Sequence, residues 1–191
     1  SAYVMELPDT AYLRTPMRST HPLDVTAYND DSDMANDKQF KVNTKFIATR
    51  GVKEYRASIS DWIDKNDVVL EIGCEWGATT TLLARHCKEV LGTDVSPVCI
   101  ERARERHPDL QFDVLDAFDV LSALKLGKKF TKIYIDMSGF SGYRSLLDTI
   151  SLLTMYATVL RPEAIVIKSG ALKNFAANSI AWRPNDNVAG A

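Results

Sequence analysis

The chain has 191 residues, 46% of them hydrophobic, and a formal net charge of −2, enough apolar material for one globular domain with its own core. No apolar run approaches the ~20 residues needed to cross a bilayer, and the first residues lack a basic start followed by an apolar segment, so a cytoplasmic setting without membrane contact is expected. Cys74, Cys87 and Cys99 lack C-x-x-C spacing, and His21, His86 and His107 are scattered, which argues against a disulfide framework and against a metal site.

Residues 1–47 read as an N-terminal arm or lid: Pro8, Pro16 and Pro22 interrupt them, and Asp24, Asp30, Asp31, Asp33 and Asp37 form an acidic run without helical or strand period. Within this arm Phe40, Val42, Thr44 and Phe46 alternate with polar residues, as in a short strand or extended segment. The globular domain is expected over residues 48–191, opening with a helix at 48–65 whose apolar face carries Val52, Tyr55, Ile59, Trp62 and Ile63. Strands then follow at 68–72, 90–94, 110–114, 132–136 and 164–168, with helices at 77–86, 97–106, 117–124 and 143–160. Such alternation requires a mostly parallel sheet joined by right-handed crossovers, an α/β three-layer sandwich of Rossmann-like form. Ser96-Pro97 supplies an N-cap and a proline at the first helical position. Basic residues cluster at Lys38, Lys41, Lys45, Arg50, Lys53 and Arg56 and again at Lys125, Lys128, Lys129 and Lys132. These are solvated faces or surfaces for a polyanion, and the overall charge neither supports nor excludes RNA.

The strand at 68–72 runs into Gly73, where backbone can turn sharply against a ligand, and Asp94 closes the next strand about twenty residues later. A carboxylate there can accept hydrogen bonds from both hydroxyls of a ribose, which points to an adenosine-containing cofactor. A dinucleotide fingerprint would need G-x-G-x-x-G, but Glu75 and Ala78 stand at its second and third positions, and an acid there would repel a pyrophosphate. The stretch Glu71-Ile72-Gly73-Cys74-Glu75-Trp76-Gly77 instead resembles motif I of the class I S-adenosylmethionine (SAM) methyltransferases, with Glu75 replacing the middle glycine. The resemblance implies the class I methyltransferase fold and SAM as cofactor, held by Glu71, Gly73, Cys74, Glu75, Gly77 and Asp94. It also implies that Asp116 and Ala117, in Gln111-Phe112-Asp113-Val114-Leu115-Asp116-Ala117-Phe118, meet the adenine amino edge while Val95 covers the ring. Cys87 and Cys99 read as small buried apolar residues. The family's usual C-terminal antiparallel hairpin is expected to be abbreviated or absent, since only residues 169–191 follow the fifth strand.

Tyr134-Ile135-Asp136-Met137-Ser138-Gly139, the spacing to Asp148, and Ala164-Ile165-Val166-Ile167-Lys168 together resemble the FtsJ-like RNA 2′-O-methyltransferases, in which one strand ends Asp-Met and the fifth ends in a buried lysine. Their upstream catalytic lysine precedes the first strand, where Lys53 has a comparable place. The resemblance therefore implies Asp136, Lys168 and Lys53 as catalytic residues and RNA as an acceptor. A ribose hydroxyl must lose its proton or be stabilised as an alkoxide, and a lysine whose pKa is lowered by burial and a neighbouring cation could serve as the base. A small-molecule or protein methyltransferase and a non-catalytic SAM-binding partner subunit are the alternatives. An aminopropyl transferase of the same fold would need a further acid after Asp136, and that stretch lacks one. Neither the acceptor nor the oligomeric state is written in these residues.

Overall fold

The computed structural model describes residues 42–137, 139 and 142–180. The chain divides into two units, Ser1–Phe40 and Lys41–Ala191. Residues 1–41 of the arm expected over 1–47, and the tail at 181–191, lie outside the described residues.

Six strands, β1 (Lys45–Thr49), β2 (Val68–Ile72), β3 (Glu89–Asp94), β4 (Gln111–Val114), β5 (Lys132–Ile135) and β6 (Ala164–Lys168), form one sheet in the order β1-β6-β5-β2-β3-β4. Every pairing is parallel. The helices are α1 (Val52–Ala57), α2 (Ile59–Trp62), α3 (Ala78–Ala84), α4 (Pro97–Arg106), α5 (Val120–Lys125), α6 (Leu146–Val159) and α7 (Gly170–Ala177). Among the described residues no helix is long and apolar enough to cross a membrane.

The central strands are apolar on both faces, as a sheet covered on two sides demands. Leu70, Ile72, Ile133, Ile135, Ile165 and Ile167 pack with Leu152, Leu153 and Tyr156 of α6 on one face. The intervening residues Val69, Tyr134 and Val166 pack on the other with Tyr55 of α1, Ile59 of α2 and Leu83 of α3. This two-residue alternation over three neighbouring strands makes the three layers. At the amino ends of the strands, buried Lys132 donates to Asp67 at 2.8 Å and to Glu163 at 2.7 Å, so the carboxylate of buried Asp67 is paired.

Two expectations change. The helix expected over 48–65 begins only after Gly51 and breaks at Ser58, whose hydroxyl donates to the Tyr55 carbonyl at 2.8 Å and meets the Tyr134 hydroxyl at 3.2 Å. Residues 45–49 are instead strand β1, registered from Lys45 opposite Ala164 to Thr49 opposite Lys168. The sheet therefore begins inside the segment assigned to the arm, and β1 takes the edge beside β6. The described residues contain no antiparallel strand.

Gly73 sets the spacing at the carboxyl ends. Its φ is 84°, and a Cβ built on it would overlap the Asp136 carbonyl oxygen. Gly73→Ala should therefore cost at least about 3 kcal/mol in urea unfolding, from the left-handed backbone and the collision with β5 together. Gly51→Ala, at an extended residue with open space around it, should change stability by less than about 0.5 kcal/mol.

Candidate functional site

β2 lies between β3 and β5, so the chain direction of strand addition reverses there, and an open parallel sheet parts its loops at such a point. A cavity of about 640 Å³ opens at these carboxyl ends, within the size range of small-molecule sites. Glu71, Gly73, Cys74 and Glu75 line it from the end of β2 and its turn, Asp94 and Val95 from β3, Asp116 and Ala117 from the segment after β4, Asp136 from β5 and Lys168 from β6. The structure thus brings together most of the residues expected from sequence.

Asp94 is fixed before any ligand arrives. One carboxylate oxygen accepts from the Glu75 amide at 3.0 Å and the other from the Ser96 amide at 2.9 Å. Each oxygen keeps a further lone pair, which suits it to two hydroxyls held side by side. Glu75 stands at the middle-glycine position with φ 50°; the loop keeps the left-handed turn of a glycine and accepts the strain of a side chain there. Asp116 accepts from the Phe118 amide at 2.9 Å, while Ala117 is buried and Leu115 adds a buried apolar wall.

Glu71 is the most constrained charge. It is 1% exposed and accepts a hydrogen bond from Thr80 Oγ1 at 2.5 Å. Burial lifts its carboxyl to about 7; the Thr80 bond and Arg56 oppose the rise, while the charges of Asp136 and Asp94 add to it. Burial, with Glu71 and Asp94 nearby, also pushes the Cys74 thiol well up, so Cys74 forms wall rather than nucleophile. At the far end Lys168 and Asp136 form an ion pair, each side chain 20% exposed.

Three placements differ from the sequence reading. Lys53 is exposed and does not line the cavity; Val52 and Arg56 do, four residues apart on α1, and Lys53 lies about 100° round the helix from Val52. Arg56 is a lining residue the sequence reading missed, although it lies one turn beyond Val52 on the face assigned to the helix from sequence. Gly77 is buried but outside the cavity lining: its φ is 83°, and Phe112 and His107 crowd the space where a Cβ would stand, so it starts α3 and allows α3 to pack. Cys99, expected in the core, is half-buried and lines the cavity.

Residues 69–163 match the family model of a methyltransferase domain. The chain belongs to the class I SAM-dependent methyltransferases. Their cofactor, SAM, suits the lining: acids for its cationic groups, a fixed carboxylate for its ribose and apolar side chains for its adenine. Comparison with curated proteins finds no match. Among solved structures the methyltransferase is similar to DesVI of Streptomyces venezuelae, with 20% identity over 61% of this chain and 51% of that one and a TM-score of 0.47. It is also similar to the sugar N-methyltransferase KedS8 of a Streptoalloteichus species, at 18% identity, 61% and 46% coverage and a TM-score of 0.46. A TehB-like SAM-dependent methyltransferase of Corynebacterium glutamicum shares 21% identity over 44% of each chain, with a TM-score of 0.35. The chain spans about half the length of these proteins or less.

The raised Glu71 carboxyl has a signed consequence for stability. Between its ordinary value of 4.5 and about 7 the folded state holds this proton more tightly than the unfolded state, so the contribution of Glu71 to stability falls as pH rises through that window and is level above it. Urea unfolding of wild type and Glu71→Gln should diverge by on the order of 3 kcal/mol between pH 4.5 and pH 8, the variant being favoured at the higher pH. An equal difference at both pH values would show that Glu71 is not buried as a proton-binding acid.

Proposed function

We propose that this chain transfers a methyl group from SAM, bound in the cavity at the carboxyl ends of β2, β3 and β5, to a nucleophile that enters beside Lys168 and Asp136. The observation that carries the reading is the buried acid Glu71 facing the same cavity as the oriented Asp94 and the Lys168–Asp136 pair. Bound there, SAM supplies an electrophilic methyl group on a sulfonium. Asp94 accepts from the ribose hydroxyls, Asp116 and Ala117 hold the adenine edge with Val95 against the ring, and Glu71 faces the ammonium. Asp136 takes the proton of an attacking hydroxyl or amine, and the cation of Lys168 favours the oxygen or nitrogen that has given it up. Holding the nucleophile in line supplies the rest of the acceleration.

The finer reading is an RNA ribose 2′-hydroxyl as acceptor. It is supported by the pairing of the β6-terminal lysine with the β5-terminal aspartate, and it stands without Lys53, which the cavity excludes. After incubation with methyl-labelled SAM and total RNA, label in 2′-O-methylnucleosides would support it, with a yield that falls as salt rises. Label confined to small molecules or protein would reject RNA and keep the transferase.

For the cofactor, Asp94→Ala should weaken S-adenosylhomocysteine by about 1.5–3 kcal/mol in calorimetric titration, the worth of charge-assisted hydrogen bonds. Asp136→Ala should leave that affinity within a few-fold and lower turnover at least about tenfold, the pattern of a group acting on the acceptor. Loss of cofactor affinity with turnover intact would reverse the two assignments.

A further inference from the structure

We infer that β1 is the pairing edge of a two-fold dimer of this chain, in which the β1 strands of two copies lie antiparallel and join their sheets into one. The Lys45 amide donates to the Glu163 carbonyl and the Thr49 carbonyl accepts from the Ser169 amide, both at 2.9 Å, so residues 45, 47 and 49 direct their backbone groups to β6. The N–H and C=O groups of Phe46 and Ala48 therefore point the other way, out of the sheet. Among the described residues no strand or side chain pairs with them.

The opposite edge is built differently. On β4 the outward Phe112 carbonyl accepts from Arg104 at 2.6 Å, and the outward Val114 amide donates to the Asp113 carboxylate at 2.8 Å; such local bonds withdraw an edge from pairing. β1 has no such cover. An apolar groove of about 270 Å³ opens where β1, α6 and α7 meet, lined by Phe46, Ala48, Ile150, Leu153, Leu172 and Ala176.

The edge is complementary to itself, which points to a second copy as its occupant. With Ile47 of the two copies opposite each other, the outward groups of Phe46 meet those of Ala48 in the second copy, and the reverse, as hydrogen-bonded antiparallel pairs require. Opposed residues share a face of the sheet. Phe46 and Ala48 both line the groove, so each phenyl ring comes to lie over Ala48 of the other copy, at that copy's groove. Charge raises no obstacle: Lys45 stands over the Trp62 ring, 5.8 Å from its centroid, and Lys173, the charged residue of the groove lining, is paired with Glu54 at 2.7 Å. Phe46, Ile150 and Leu147, the last one turn before Ile150 on α6, are 45%, 37% and 80% exposed. Their free apolar area is about 300 Å² per copy, so a pair would bury close to the apolar share of a minimal interface of ~1,200 Å². Antiparallel pairing turns the carboxyl ends of the two sheets in opposite directions and leaves both cavities open.

In sedimentation the full chain should be a dimer at about 100 µM. Phe46→Lys, which puts a charge on the edge, should weaken dimerisation at least about tenfold and leave the affinity for S-adenosylhomocysteine within about twofold. Register is read by a mixed cross-link, because opposed residues of a hydrogen-bonded antiparallel pair stand ~5.5 Å apart at Cα, within disulfide reach. A mixture of Phe46→Cys and Ala48→Cys chains should give a covalent dimer under mild oxidation that neither variant gives alone, and this result decides by itself should the lysine variant fail to fold. A wild-type monomer at that concentration would overturn the inference. So would a Phe46→Lys dimer as tight as wild type, or a mixture that cross-links no better than its separate components.

Discussion

The architecture depends on one close approach, that of Gly73 to the backbone of Asp136. No Cβ fits between them, so the ends of β2 and β5 meet backbone to backbone. The Asp136 amide donates to the Ile72 carbonyl at 2.9 Å, and the Gly73 amide to the Thr93 carbonyl at 2.7 Å. These bonds tie β5, β2 and β3 together at the point where strand order reverses, and the loops beyond them must diverge. Asp136 is itself one of these tied residues and Asp94 follows the tied Thr93, so the two acids stand on either side of the turn. A side chain inserted at residue 73 would displace both acids with the strands that carry them.

The price of that arrangement is a buried acid. Glu71 sits one residue inside β2, where water cannot reach it, and a hydrogen bond from Thr80 compensates only part of the lost hydration. A fold optimised for stability would put an apolar residue there. The same is true of Glu75, which holds a left-handed backbone that glycine would adopt without strain. Both departures occur within five residues of chain, both at the cavity, and both place a carboxylate where a cationic ligand would offset it. Arg56 lines the same cavity, and its charge opposes the rise of the Glu71 carboxyl.

Much of this was legible in the chain. β2 and β6 are mostly apolar runs with clear ends, broken only by Glu71 and closed by Lys168, and α4 begins at Ser96-Pro97, where the Ser96 hydroxyl accepts from the Cys99 amide; local chemistry decides these elements by itself. The glycine turn and the acids at strand ends were legible because parallel-sheet topology sends every strand end to one side. The segment around 45–63 was legible only in part: a short strand through Phe46 was expected, but Ala48 and Val52 share a helical spacing, so the last residues of the strand read as helix. Only pairing with β6, more than a hundred residues away, decides for β1. Val52 and Arg56, four residues apart, share a helix face that Lys53 does not, a spacing present in the chain but passed over because the resemblance pointed to Lys53. Gly77 carries the spacing of a ligand-contacting glycine, yet the aromatic ring of Phe112, from a different strand, is what requires it.

The most direct test of the central claim is a crystal structure of the chain with S-adenosylhomocysteine. The ribose hydroxyls should lie on Asp94, the amino-acid end beside Glu71, and the sulfur facing the Lys168–Asp136 pair. Ligand seated outside the Gly73–Asp136 turn, or seated there with its sulfur directed away from Asp136, would contradict it.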